Sequence, residues 1–382
     1  MDMIKYMNSN VTGIKASEIL EFSGLAASTP GCIGLTIGEP DFTTPESIKE
    51  KAVQALAGDK THYADGNGLP ELRAAIAEFE EKQNGLNYDP DEIIVTAGAT
   101  EAIYSAMTAI LEPGDEVILP LPDFSFYDQV VEIMGAKCVY IDTSKTDFQL
   151  SKADLEAAIT DKTKAIVINT PNNPTGVVYT KETVQGIHDA LAGKPIFIIC
   201  DEVYNQLVYT DECVSLASYE DLRQQLIVVQ SYSKPYAMTG WRVGYIMTDM
   251  PIKNVIAVVH QNVLVSLPEF IQPACIEALK FDPKDMRETY RKRRDYIYAR
   301  LTGMGLDVTM PEGAFYVFPY IGKYGMNSLE FCTKMVNETA LAVLPGRFFG
   351  NDEYIRISYC YSDEQLKEGM DRLEKFVKSL VK

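Results

Sequence analysis

The sequence predicts an α/β fold, a mostly parallel sheet covered by helices, with a smaller α+β region behind it. Between about residues 90 and 250, short β-branched runs alternate with longer segments of helical period. The runs read as apolar throughout. That is the pattern of strands buried on both faces, as in a parallel sheet sandwiched by helices. Near 267–273 the alternation stops and a long charged segment takes over.

Taken in order, the expected strands are 93–96, 116–119, 137–141, 165–169, 196–200 and 227–230. Between them lie 100–111, 126–134, 152–159 and 181–191, where apolar residues recur at three- and four-residue spacing, the signature of one buried helix face. After the change of pattern comes a helix over 284–301 carrying Arg287, Arg291, Arg293 and Arg294. A strand at 316–318, a helix at 328–338, a strand at 355–359 and a final helix at 363–380 follow. The organisation expected is a large domain over 41–275 and a small domain made of 276–382, with the N-terminal arm 1–40 packed against it.

Sheets of this kind bind ligands beyond the carboxyl ends of their strands. Gly98, Phe124, Asn173, Asp201 and Lys234 each follow the end of an expected strand, which places them on one rim.

Composition narrows the partners. The 382 residues are 46% apolar and 23% charged, ordinary for a globular protein, with a formal net charge of −19. So acidic a chain is a poor match for nucleic acid or an anionic membrane, both of which select basic patches. The first residues lack the apolar stretch of a signal peptide, and no apolar run approaches the length of a membrane span. The seven cysteines are scattered without a CxxC, which suits a reducing cytoplasm. His62, His188 and His260 are too far apart in sequence to give zinc-ligand spacing, and no metal is expected.

The chemistry gathers at the rim. Lys234 stands in Ser231-Tyr232-Ser233-Lys234, with Arg242 eight residues on. A lysine that forms an imine needs a site that holds an aldehyde cofactor, and hydroxyls with a guanidinium can grip a phosphate. Asp201, in Asp201-Glu202-Val203-Tyr204, is either a loop or capping carboxylate or the partner of a pyridine nitrogen that it keeps protonated. Tyr204 either packs or donates to a phenolic oxygen. The turn Asn172-Asn173-Pro174-Thr175-Gly176 is rigid enough to aim the Asn173 amide. Gly98-Ala99-Thr100 opens a helix directly after a strand, where free N–H groups and the helix dipole favour a phosphate. Phe124 is placed either to pack or to stack on a planar ring. Arg356 sits inside an apolar strand, where a guanidinium requires a carboxylate, from the protein or from a substrate.

Together these residues resemble the class I/II aminotransferases, fold-type I enzymes that use pyridoxal 5′-phosphate. The pieces fall in the family's order over almost the whole chain: Thr36-Ile37-Gly38-Glu39-Pro40-Asp41, Tyr63 with Gly68-Leu69-Pro70-Glu71-Leu72-Arg73, then Asn173 to Gly176, Asp201 to Tyr204, Ser231 to Lys234, Arg242, Gly313-Ala314-Phe315-Tyr316 and Arg356. The resemblance implies a seven-stranded sheet and an aminotransferase that moves an amino group from an L-amino acid to a 2-oxo acid by a ping-pong route. By it, Lys234 carries the cofactor and shuttles the substrate proton. Asp201 pairs with the ring nitrogen, Tyr204 and Asn173 bond the ring oxygen, and Phe124 stacks on the ring. Gly98, Ala99, Thr100, Ser231, Ser233 and Arg242 hold the phosphate. Tyr63 reaches the phosphate of a neighbouring subunit, which implies a homodimer with shared active sites. Arg356, Asn173 and the backbone of Gly38 hold the substrate α-carboxylate, and the stretch 14–22 covers the site. Two alternatives on the same scaffold are a C–S β-lyase and, more remotely, a cofactor-sensing transcription regulator.

Overall fold

The computed structural model describes residues 3–14, 18–210 and 213–380. Its strands, in chain order, are β1 (Ile33–Gly34), β2 (Ile93–Thr96), β3 (Glu116–Leu121), β4 (Lys137–Asp142), β5 (Thr163–Asn169), β6 (Phe197–Asp201), β7 (Leu226–Ser231), β8 (Gly244–Thr248), β9 (Tyr316–Val317), β10 (Leu341–Ala342), β11 (Leu344–Pro345) and β12 (Ile355–Ser358).

Seven of them form one sheet in the order β2-β8-β7-β6-β5-β3-β4. Every pairing is parallel except the two made by β8, which runs antiparallel to β2 and β7. The expected strands are all present, and β8 is the addition. It reads Gly244-Tyr245-Ile246-Met247-Thr248, without the β-branched run that marks the other strands. Asp201 and Ser231 are the last residues of β6 and β7 rather than the first beyond them.

Side chains along a strand alternate between faces, and both faces here are apolar. Ile227 and Val229 join one core with Ala102, Ile103, Ala106 and Met107 of the helix Gly98–Ile110. Val228 points the other way, into a core shared with Val184, Ile187, Ala190 and Leu191 of the helix Lys181–Leu191. That helix starts where Thr180 caps it, its side chain accepting from the Thr183 amide.

A third core lies between the long helices Lys284–Gly303 and Asp363–Leu380, the helix Ser328–Thr339 and the antiparallel strands β11-β12-β9. In the last helix Leu366, Met370, Leu373 and Val377 recur at three- and four-residue spacing and are buried. The N-terminal segment joins this core: β1 pairs in parallel with β10, and Phe22 and Leu35 are buried in it. Among the described residues no single helix is long and apolar enough to cross a membrane.

Candidate active site

A cavity of about 410 Å³ opens at the carboxyl ends of β5, β6 and β7, where the sheet meets β9, β12 and the segment after β1. It is lined by Ala99, Thr100, Phe124, Asn173, Asp201, Tyr204, Ser231, Ser233, Lys234, Arg242 and Arg356, with Gly38 at its edge. The rim expected from the sequence is therefore one place. Gly98 lies just behind it. Its φ of +80° suits glycine, and a Cβ there would stand 2.7 Å from the Arg242 guanidinium, so backbone and arginine approach because the side chain is absent. Tyr63 is outside this pocket and 86% exposed.

Lys234 follows β7, and its Nζ donates to the Gly38 carbonyl at 2.6 Å. Burial, the largest influence, pulls its ammonium down from 10.5 to about 8. The amine is therefore far readier to shed its proton than a surface lysine.

Asp201 is 5% exposed. Its Oδ2 accepts from the Tyr127 hydroxyl at 2.6 Å and its Oδ1 from the Val203 amide at 3.3 Å. Burial pushes its carboxyl up, and those two bonds, then the charge of Lys234, pull it back. Among the described residues no cation pairs with it directly.

Arg356 presents the complementary case. It is 5% exposed and lies between the rings of Tyr316 and Phe349, 4.5 and 4.7 Å from their centroids. One terminal nitrogen donates to the Asn173 side-chain oxygen at 2.8 Å and the other to the Thr36 carbonyl. Its Nε has no partner, and among the described residues no carboxylate neutralises it. A guanidinium taken this far from water is costly unless something anionic meets it.

Asn173 thereby has its oxygen occupied, which leaves its NH₂ for another acceptor. Its position is set by its own amide, which donates to the Asn169 side chain at 2.9 Å. The Tyr204 hydroxyl lies 2.8 Å from that of Tyr316, and burial drives the Tyr204 phenol well above its ordinary range, so it stays protonated and can donate. At the other end of the cavity Ala99 and Thr100 begin the helix Gly98–Ile110, and Ser231, Ser233 and Arg242 close around them. The Ser233 amide donates to Ser231 Oγ at 3.1 Å.

Sequence reasoning gave no site role to three residues here, Thr36, Tyr127 and Tyr316, although Thr36 and Tyr316 stood in its motifs. Tyr127 is three residues past Phe124, on the first turn of the helix Phe126–Ile133. Nothing in the sequence distinguishes its hydroxyl from an ordinary packing tyrosine. Of the stretch 14–22 expected over the site, Ile19 lines the cavity, as does Ser23 just beyond it, while 15–17 lie outside the described residues.

Comparison with known proteins identifies the family. The sequence pattern of the family described as "Aminotransferase class I and II" matches residues 30–373. A relative in Bacillus subtilis, named probable N-acetyl-LL-diaminopimelate aminotransferase, is 41% identical over 97% of this chain and 95% of its own. Among solved structures, an aromatic aminotransferase from Pyrococcus horikoshii superposes with a TM-score of 0.89, at 39% identity over 94% of this chain and 99% of its own. An aspartate aminotransferase from Thermotoga maritima superposes with a TM-score of 0.93, at 34% identity over 97% and 100%. The chain belongs to the class I and II aminotransferases, with the α/β architecture of fold type I.

Proposed function

We propose that this aminotransferase works with pyridoxal 5′-phosphate held by Lys234, and that its substrates are an L-amino acid and a 2-oxo acid. One observation carries the reading. A buried anion without a cation partner, Asp201, and a buried cation without an anion partner, Arg356, share a pocket with a lysine whose ammonium is lowered to about 8. Each charge suits a ligand that brings the opposite one: a protonated ring nitrogen at Asp201 and an α-carboxylate at Arg356.

The residues present suit that cofactor. The backbone of Gly98 to Thr100 at a helix N-terminus, with Ser231, Ser233 and Arg242, forms a cradle of donors for a phosphate, and a Cβ at Gly98 would intrude on it. Phe124 offers a flat face, and Tyr204 and the free end of Asn173 offer donors for a ring oxygen. When bound, the cofactor withdraws electrons from the substrate Cα and stores the amino group between donor and acceptor.

The chain's own residues supply the rest. Arg356 orients the substrate carboxylate through its planar fork, assisted by Asn173 and the backbone of Gly38. Lys234 Nζ takes the proton from Cα and returns one on the cofactor side. Asp201 keeps the ring nitrogen charged. Ile19, Ser23 and Ile37 border the pocket and help keep water from it.

We assign Tyr63 to the phosphate of a second copy, giving a homodimer with shared sites; its exposure outside its own pocket supports this. We read the chain as two domains, 41–275 and 1–40 with 276–382. The cytoplasm is the compartment we propose, supported by seven unpaired cysteines. The names of the relatives favour amino transfer over a C–S lyase or a regulator and span more than one substrate class. The test is a panel of amino donors against 2-oxoglutarate, pyruvate and oxaloacetate, following absorbance of the bound cofactor. Transfer is expected to require the acceptor. Pyruvate and ammonia released from a cysteine conjugate without an acceptor would point to the lyase.

A further inference from the structure

We infer that Tyr127 is a positioning residue of the amino-transfer reaction: its hydroxyl holds Asp201 ionised and aimed into the pocket, so that a pyridine nitrogen bound there keeps its proton. The inference rests on the cofactor reading above and adds a residue which that reading does not contain.

The geometry comes first. Asp201 ends β6, fixed in register between Asn169 of β5 and Val229 of β7. Its backbone cannot move without breaking the sheet, so the carboxylate is aimed by what its oxygens touch. Tyr127 reaches Oδ2 from the first turn of the helix Phe126–Ile133, is 1% exposed, and bonds at 2.6 Å, the length of a hydroxyl on a charged oxygen. The only other bond described is the longer one from the Val203 amide.

The surroundings make that bond matter. Facing or flanking Asp201 are Lys234, Tyr204, Cys200 and Glu202, with Asp123 close to Tyr127. Lys234 is the one cation in this group. Burial favours the neutral carboxylic acid, and a neutral Asp201 cannot hold a charged ring nitrogen. Of the influences opposing burial, the Tyr127 hydroxyl is the largest, ahead of the Val203 amide and Lys234. The direction of the bond is settled as well. Burial and the Asp201 charge hold the Tyr127 phenol well above its ordinary range, so it remains the donor.

Tyr127→Phe isolates the hydroxyl, because the ring is buried in an apolar core and packs edge-on against Phe124, which phenylalanine preserves. Replacement of Tyr127 by 3-fluorotyrosine keeps both shape and hydroxyl but donates more strongly. The experiment loads each protein with pyridoxal 5′-phosphate labelled with ¹⁵N in the ring and follows the nitrogen's protonation by NMR between about pH 6 and 9. The wild type is expected to stay protonated throughout. Tyr127→Phe should lose the proton within the range, its apparent pKa lowered by about one to two units, as befits loss of a hydrogen bond to a charged group. Its kcat should fall about 10- to 100-fold with KM for the amino acid changed less than about 3-fold. The fluorinated variant, which keeps the hydroxyl, should stay protonated throughout, as the wild type does. A loaded wild type whose Tyr127→Phe variant also stays protonated throughout overturns this inference alone. A wild type that shows no bound ring nitrogen overturns the cofactor reading, and this inference with it.

Discussion

The two walls of the pocket are built differently. One is made of strand ends: Asp201 and Ser231 terminate β6 and β7, and Lys234 and Asn173 lie within a few residues of β7 and β5. Local strand–turn–helix geometry fixes this wall, and the sheet's register holds it. The other wall is made of Gly38, Thr36, Tyr316 and Arg356, and long-range bonds hold it. Arg356 reaches 183 residues back to Asn173 and 320 back to Thr36, and Tyr316 reaches 112 back to Tyr204. A Cβ on Gly38 would fall 1.7 Å from the Tyr316 hydroxyl, so the seam between the walls closes only around glycine. The difference predicts a division of labour. Damage to the first wall should affect the cofactor and the chemistry, and damage to the second should affect the substrate.

The largest expected effect is on the first wall. Lys234→Ala should lower turnover by at least about 10⁴-fold, since both the proton carrier and the tether are lost. Asp201→Asn should follow, with a loss of about 10²- to 10³-fold in kcat and weaker cofactor retention by equilibrium dialysis. The second wall should respond otherwise. Arg356→Ala should raise KM for the amino donor about 100-fold while cofactor binding is unchanged, because a buried charge contact to the carboxylate is removed. Arg356→Lys should recover only part, lacking the planar fork. An Arg356→Ala protein that loses cofactor as readily as Asp201→Asn would erase the distinction between the walls.

The pH dependence sharpens it further. Only the free base of Lys234 attacks an aldehyde; its fraction rises steeply below the pKa, is one half at it and saturates above it. The rate at which apo-protein takes up pyridoxal 5′-phosphate should therefore climb and level off above about 8. A lysine in its ordinary state would keep climbing past that point. The smallest effect expected is that of Tyr316→Phe, which removes one neutral hydrogen bond to Tyr204 and should cost about 2- to 10-fold in kcat/KM.

The same contrast explains what the sequence made legible. Strands such as β5 and β7 read directly as apolar β-branched runs, and the residues at their ends came with them. The order of motifs singled out Lys234, Asp201 and Arg356, and all three line one pocket. Thr36 was seen as part of a motif, but its contact with Arg356 was not, because it acts through its backbone carbonyl, which any residue supplies. Tyr127 was invisible because a buried helix-face tyrosine looks the same whether or not its hydroxyl finds a carboxylate 74 residues away. Strand β8 was missed because the pattern of a parallel sheet gives no reason to expect a short antiparallel member beside β7.

The central claim is that the Lys234 amine carries the cofactor. Purified protein mixed with pyridoxal 5′-phosphate, reduced with borohydride and digested tests it by peptide mass spectrometry. The pyridoxyl mass should appear on the peptide containing Lys234, with absorbance in the visible before reduction. No label, or a label confined to other lysines, would contradict it.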